Sequence, residues 1–403
     1  MKKHYGWVIC AGGVLLHFFV CGLVTNGLSV LLPFIKAEVG LTNTQTSMII
    51  TIRCLTSMLA MTVADVYYRK LSLRLGTSIA VLFFSAGSLL FSLADSALMC
   101  YLAAALMGIA YALGGMIPIS ILIRNWFQDR RSTVTAICAC GAGLSAMISP
   151  PILISLAEKT GLHAAVTAAA GFAAVCAVIV FLILRDTPAA MRLEPYQEDG
   201  YQQKKKEPHQ FLDSDLAHWE LMLLMLAMLL VGSSGTPSIS NLSLHYISSG
   251  YNSIQVASAI SLYGIVLTAG KFLFGVGSDR FGTYRVNYVY TGCWMLALFA
   301  TAAVNGTSIP LLYLTALLHG IGSPVGTVGI TIWTGELTSP QQYARNIQWT
   351  QMLFSMGSLL MMPFSGIIAD ITGSYAPSYV LFGCMITITL IIVQSIYRRH
   401  RLP

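Results

Sequence analysis

Long apolar runs, each broken by a short polar connection, set the rhythm of this chain. Twelve of them lie near residues 7–32, 44–66, 75–94, 97–123, 132–155, 163–184, 219–247, 254–277, 287–304, 309–334, 346–369 and 378–397. A helix rising about 1.5 Å per residue needs roughly 20 apolar residues to cross a bilayer's hydrocarbon. The pattern therefore predicts an all-α integral membrane protein with twelve transmembrane helices. The longest polar segment, residues 185–218, follows the sixth run and contains Pro188, Pro195, Pro208 and the run Lys204, Lys205, Lys206. It reads as a linker between a six-helix bundle over 1–184 and a second bundle with its tail over 219–403. Two equal halves joined this way suggest pseudo-symmetric repeats about an axis along the membrane normal.

Composition agrees. Of 403 residues, 56% are hydrophobic and 10% charged, and the mean hydropathy is +0.71. A soluble domain carries about 25% charged residues, so a soluble enzyme, a nucleic-acid binder and a secreted disulfide scaffold are excluded. The net charge of +7 is explained by topology. Of 23 Lys and Arg residues, 19 fall at the termini and in alternate connections, including Arg69, Lys70, Arg124, Arg130, Arg131, Arg185, Lys204 to Lys206, Arg398 and Arg399. That alternation obeys the positive-inside rule and places both termini and the linker in the cytoplasm. The nine cysteines all lie in apolar runs with no paired CxxC motif, so they serve packing. No phosphate-binding loop, redox ligand set or catalytic triad appears, which argues against an enzyme and against a cofactor or metal.

After the eighth helix stand Gly275, Asp279, Arg280, Gly282 and Arg285; after the second stand Asp65, Arg69 and Lys70. The fuller copy resembles the G-x-x-x-D-R-x-G-x-x-R loop of the major facilitator superfamily. In that setting Gly275 would permit close helix approach and Gly282 a tight turn. Asp279 and Asp65 would face helix N-termini, and Arg280 and Arg285 would hold a gate. Tyr5, Gly6, Trp7, Val8 and Ile9 resemble the opening of helix 1 in monocarboxylate transporters. Asn125, Trp126, Phe127, Arg130 and Arg131, with Gly141 and Gly143, resemble that family's second signature, shared with oxalate/formate antiporter-like proteins. The resemblance implies a secondary transporter of a small organic anion, seated in a plasma or bacterial inner membrane and working by alternating access. The alternative is an efflux transporter of amphiphilic or zwitterionic compounds. Proton-coupled drug and sugar porters usually carry an Arg in helix 4, whereas Tyr101 to Pro118 holds no charge.

Charges inside a bilayer are costly and default to function. Arg53 in helix 2 and Lys271 in helix 8 are the two intramembrane cations, and the equivalence of these helices lets both serve one anion. Lys271 stands where the resembled families carry a substrate-binding Arg; Lys keeps the charge but loses bidentate geometry. Leu267 replaces the acid that accompanies that Arg in proton-coupled carriers, which favours anion exchange or facilitated transport, with a histidine proton route as the fallback. Asn26 stands in place of the family's helix 1 Lys. Gln348, Gln351, Ser355 and Ser358 form a polar stripe that either lines the cavity or joins helices. His319 shares a face with Gly322, Gly326 and Trp333. His17 and Asn26, nine residues apart, point to opposite sides of an unbroken helix. Glycine and proline punctuate helix 7 (Gly232 to Pro237), helix 10 (Gly320 to Pro324) and helix 5 (Ser149 to Pro151). A cysteine introduced at Lys205 should resist membrane-impermeant thiol reagents on intact cells and react once the membrane is opened; efficient external labelling overturns the topology.

Overall fold

A computed structural model of the chain describes residues 5–127, 131–196, 216–339 and 343–400. These form α1 (Tyr5–Val39), α2 (Asn43–Lys70), α3 (Leu73–Ser92), α4 (Ala97–Trp126), α5 (Arg131–Thr160) and α6 (Leu162–Ile183). There follow α7 (His218–Ser240, continued by Leu242–Ser248), α8 (Ser253–Phe281), α9 (Thr283–Ala302), α10 (Ile309–Leu337), α11 (Tyr343–Thr372) and α12 (Ala376–Arg399). Eleven are long and apolar enough to cross a membrane. The remaining one, α9, has the length but carries Arg285, Asn287 and three tyrosines in its first half.

Helix ends are closed by local chemistry. Four backbone N–H groups at each helix start lack an intrahelical partner. At α3, Ser72 Oγ accepts from Leu75 N, while the Asp186 carboxylate accepts from Leu73 N at 3.1 Å and Arg74 N at 2.9 Å. At α8, Asn252 and Gln255 exchange side-chain and backbone bonds in a capping box. Gly282, with φ of 84°, makes the turn into α9, as its place in the motif predicts. Asp279 and Arg280, however, lie in the last turn of α8 itself, which runs to Phe281. Nothing lies within 4 Å of a Cβ built on Gly275, so that glycine serves no close approach.

The chain divides into two compact units, Met1–Leu41 with Ile52–Lys205, and Thr42–Thr51 with Lys206–Pro403. In the second unit, Asp370 accepts from the N–H groups of Asn43 and Thr44, each at 2.8 Å, which caps the start of α2.

Both units use one packing device. In the first, a Cβ on Gly141 of α5 would stand 2.3 Å from Val14 O of α1, and one on Gly108 of α4 would stand 2.3 Å from Arg53 O of α2. In the second, a Cβ on Gly357 of α11 would stand 2.2 Å from Leu229 O of α7, and one on Gly320 of α10 would stand 3.0 Å from Tyr263 O of α8. Real Cβ atoms do not approach backbone so closely, so these positions let helices meet backbone to backbone.

Besides α7, which is interrupted at Asn241, three helices are irregular. α1 turns π-helical from Phe18 to Gly27, α4 breaks at Gly115, and α10 tightens to a 3-10 turn at Ser323–Gly326. The α10 interruption coincides with the glycine and proline cluster. By contrast, α7 continues through Pro237 and α5 through Pro150 and Pro151, so those two clusters do not break their helices.

Gly232 of α7 tests the device, because its Cβ would lie 1.9 Å from Phe354 O, whereas Gly171 of α6 has open space around it. Gly232→Ala should lower unfolding stability in detergent by about 1–3 kcal/mol through overpacking. Gly171→Ala should be neutral or gain up to about 1 kcal/mol of helix propensity.

Candidate functional site

The first unit encloses Arg53. Its side chain is only 5% exposed; one terminal nitrogen donates to Val24 O at 3.1 Å, and the other lies 3.4 Å from Cys54 Sγ. Val24 belongs to the π-helical run of α1. No described carboxylate bonds the guanidinium. A charge taken out of water is ordinarily paired or it is expensive; here neutral acceptors, a carbonyl and a sulfur, hold the guanidinium.

The same π-helical run answers the question of His17 and Asn26. A π turn takes more than four residues, so the nine residues between them make roughly two full turns. Both then face α5: His17 Cβ lies 3.2 Å from the Cβ position of Gly141, and Asn26 Nδ2 donates to Ala142 O at 3.3 Å. Asn26 is thus held by α5 and does not join Arg53.

The second unit treats its candidates unequally. Lys271 on α8 is half-buried and has an interaction within the protein. It stands eight residues beyond Tyr263, the α8 residue on which Gly320 packs, whereas Arg53 itself carries the matching contact in α2. The two cations therefore occupy different registers, about 12 Å apart along equivalent helices. His319 is fully buried, with Nε2 3.1 Å from Thr301 Oγ1 of α9. Gly322 presses on Trp294, and Trp333 Nε1 donates to Asn287 Oδ1 at 2.8 Å. Gly322 and Trp333 of that stripe pack on α9, while Gly326 also faces Val231 of α7 and Phe354 of α11, so His319 sits within the helix packing. On α11, Ser358 joins the Gly232 carbonyl and the Thr236 hydroxyl of α7, so it is interhelical glue. Ser355 bonds back to Gln351 O within the helix, while Gln351 is exposed.

Arg280 and Arg285 of the expected gate are exposed. The side chains of Asp65, Asp279 and Gln348 lie outside the described residues.

The sequence profile of the Major Facilitator Superfamily matches residues 14–286 and 224–403. The chain belongs to the Major Facilitator Superfamily. It is a multi-pass membrane transporter and not an enzyme. Among curated relatives of this superfamily member, monocarboxylate transporter 12 of Rattus norvegicus is 23% identical over 412 residues, covering 94% of this chain and 82% of its own. Alpha-ketoglutarate permease of Bacillus subtilis is 28% identical over 120 residues, 28% of this chain and 27% of its own. Among solved structures, the nucleoside transporter NupG superposes with a TM-score of 0.74 at 12% identity, covering 98% of this chain and 99% of that one. A D-xylose–proton symporter gives 0.72 at 11% identity, covering 98% and 97%. At these identities the structures show the fold alone.

The two signature stretches of this superfamily member meet in one place, at the start of the linker. Tyr5 and Trp126 rings stand 5.3 Å apart, and Trp7 meets both Phe127 and Tyr196 at 5.8 Å. Trp126 Nε1 donates to Arg185 O at 2.8 Å, Asn125 Nδ2 to Asp186 O at 3.0 Å, Tyr5 OH to Ile183 O at 2.8 Å, and Tyr196 N to Trp126 O at 2.7 Å. The signatures clasp the start of the linker, and Asp186 then caps α3. Sequence reasoning missed Asp186 and Tyr196; an acid directly after the sixth run was the available signal. Trp126→Phe removes the donor to Arg185 O and should cost about 1–3 kcal/mol of stability without changing substrate affinity. A selective loss of affinity would instead place the clasp in recognition.

Proposed function

We propose that this transporter carries a small organic anion, a monocarboxylate, by alternating access, with both termini in the cytoplasm. Arg53 is the observation that carries the reading: a buried guanidinium in the bundle, held by a carbonyl and a sulfur rather than by an acid. The name of the monocarboxylate transporter relative, across 94% of this chain, and that of the short alpha-ketoglutarate permease match support an organic anion. Lys271 is the second cation of the proposal, and Gln351, exposed on α11, its polar neighbour in kind. With Leu267 in place of an acid, exchange or facilitated transport is the mode the sequence favours; a proton or counter-anion supplies the charge balance. Arg280 and Arg285 remain the proposed gate residues, with Asp65 and Asp279.

The proposal is checked by purified protein in proteoliposomes loaded with pyruvate. A charge-assisted hydrogen bond contributes on the order of 1.5–3 kcal/mol, roughly ten- to a hundredfold in affinity. Arg53→Gln should lower pyruvate affinity by that factor, and Arg53→Lys should retain part of it, because the charge persists while the fork geometry is lost. Lys271→Gln should weaken binding less, since Lys271 already has a partner in the protein. Unchanged pyruvate exchange by Arg53→Gln, or transport of lipophilic cations in preference to carboxylates, would refute the anion reading.

A further inference from the structure

We propose that the Tyr111 hydroxyl is the second recognition group of the Arg53 site, donating a hydrogen bond to the same substrate carboxylate and restricting the site to monoanions. The inference rests on the anion reading above and adds to it a specificity-determining residue.

Three observations converge on Tyr111. The first is register. Gly108 of α4 packs directly on the backbone of Arg53, and Tyr111 lies three residues on, on the same helical face. A helical side chain leans back over the turn N-terminal to its own Cα, so the Tyr111 ring is carried toward the level of Arg53. It stands within electrostatic reach of Arg53, Cys54 and Cys21.

The second is an unused donor. Tyr5, Tyr67 and Tyr68 of the same unit each donate their hydroxyl to a main-chain carbonyl, of Ile183, Gly76 and Leu113 respectively. Tyr111 is half-buried, and its hydroxyl bonds none of the described residues. That hydroxyl is not sealed inside the protein, so its donor is open to a ligand.

The third is the backbone around it. α4 breaks at Gly115, four residues after Tyr111, and a Cβ there would stand 3.3 Å from Cys21 Sγ in the π-helical run of α1. The two irregular stretches of this unit therefore face each other beside Arg53. Irregular backbone at membrane depth is kept where protein covers it or where it lines a cavity, and π-helical turns concentrate at functional sites.

The chemistry fits a carboxylate. Its two oxygens offer about four acceptor positions, more than the part of the Arg53 fork left by Val24 O and Cys54 can fill. A phenol is a neutral donor near pH 7. One guanidinium and one neutral donor balance a single negative charge within this unit, so a dianion's second charge would depend on Lys271, which already has an interaction in the protein.

The test is equilibrium binding of pyruvate and of 2-oxoglutarate to the purified full chain in lipid nanodiscs, with unfolding midpoints recorded alongside. Tyr111→Phe deletes one oxygen and should lower pyruvate affinity about tenfold, with the unfolding midpoint unchanged. The unaltered protein should bind pyruvate more tightly than 2-oxoglutarate. If Tyr111→Phe binds pyruvate normally while Arg53→Gln does not, the role of Tyr111 is overturned and the Arg53 reading stands. Equal or tighter binding of 2-oxoglutarate overturns the monoanion restriction. Failure of the unaltered protein to bind either carboxylate overturns both readings.

Discussion

Backbone-to-backbone contact at glycine is the constraint on which the rest of each unit depends. In hydrocarbon there is no hydrophobic drive between helices, so association depends on close packing and on polar bonds across the interface. Gly141 sets α5 against the carbonyl of Val14, and Gly357 sets α11 against that of Leu229. Once α1 lies that close to α5, its inner face must fit small residues: a Cβ on Gly22 would fall 2.1 Å from Ser145 Cβ. The π-helical run spans this contact, and its wider turns keep His17 and Asn26 on the α5 side. The opposite side of the run is then free to present Val24 O to Arg53.

This placement makes an expensive charge tolerable. A guanidinium at 5% exposure loses most of its hydration, and a carbonyl and a sulfur replace only part of it. An acid partner would neutralise the site but would also compete with any anionic substrate. Holding Arg53 by neutral acceptors fixes its position without neutralising its charge, which is what the proposed anion site requires. Glu220 shows the contrasting arrangement: 2% exposed, it is 3.2 Å from Arg399 and 3.1 Å from His400. There the charge ties the start of α7 to the end of α12.

The membrane fold and its helices were legible because apolar length is a property of the sequence itself. Gly282 was legible for a similar reason, since its motif requires a turn that glycine makes easily. The irregular backbone was less so. The cluster of Gly320, Gly322 and Pro324 did mark the break in α10, but Pro237, Pro150 and Pro151 are absorbed within their helices. The π-helical run carries no proline, and the break in α4 shows only as Gly114 and Gly115. The surroundings of His319 were not legible, because helical periodicity says which residues share a stripe, not which neighbour the stripe meets. Here α9 supplies Thr301 beside His319 Nε2 and Asn287 to Trp333, while the buried His319 Nδ1 has no hydrogen-bond partner among the described residues. The aromatic signatures were read correctly as a family mark, yet their job is to hold the linker.

The comparison of the two units separates what duplication preserved from what it released. Gly108 and Gly320 pack on equivalent helices at equivalent registers, so the scaffold is repeated. At that register one unit has Arg53 and the other Tyr263, which is buried at 5% exposure. Lys271 is displaced by two turns and has an interaction of its own within the protein. A scaffold contact tolerates only glycine on one side but almost any side chain on the other, because it is the backbone of Arg53 or Tyr263 that the glycine touches. The chemistry of the contacted residue can therefore change without disturbing the packing. That independence is how a repeated fold can concentrate an anion-binding charge in one half.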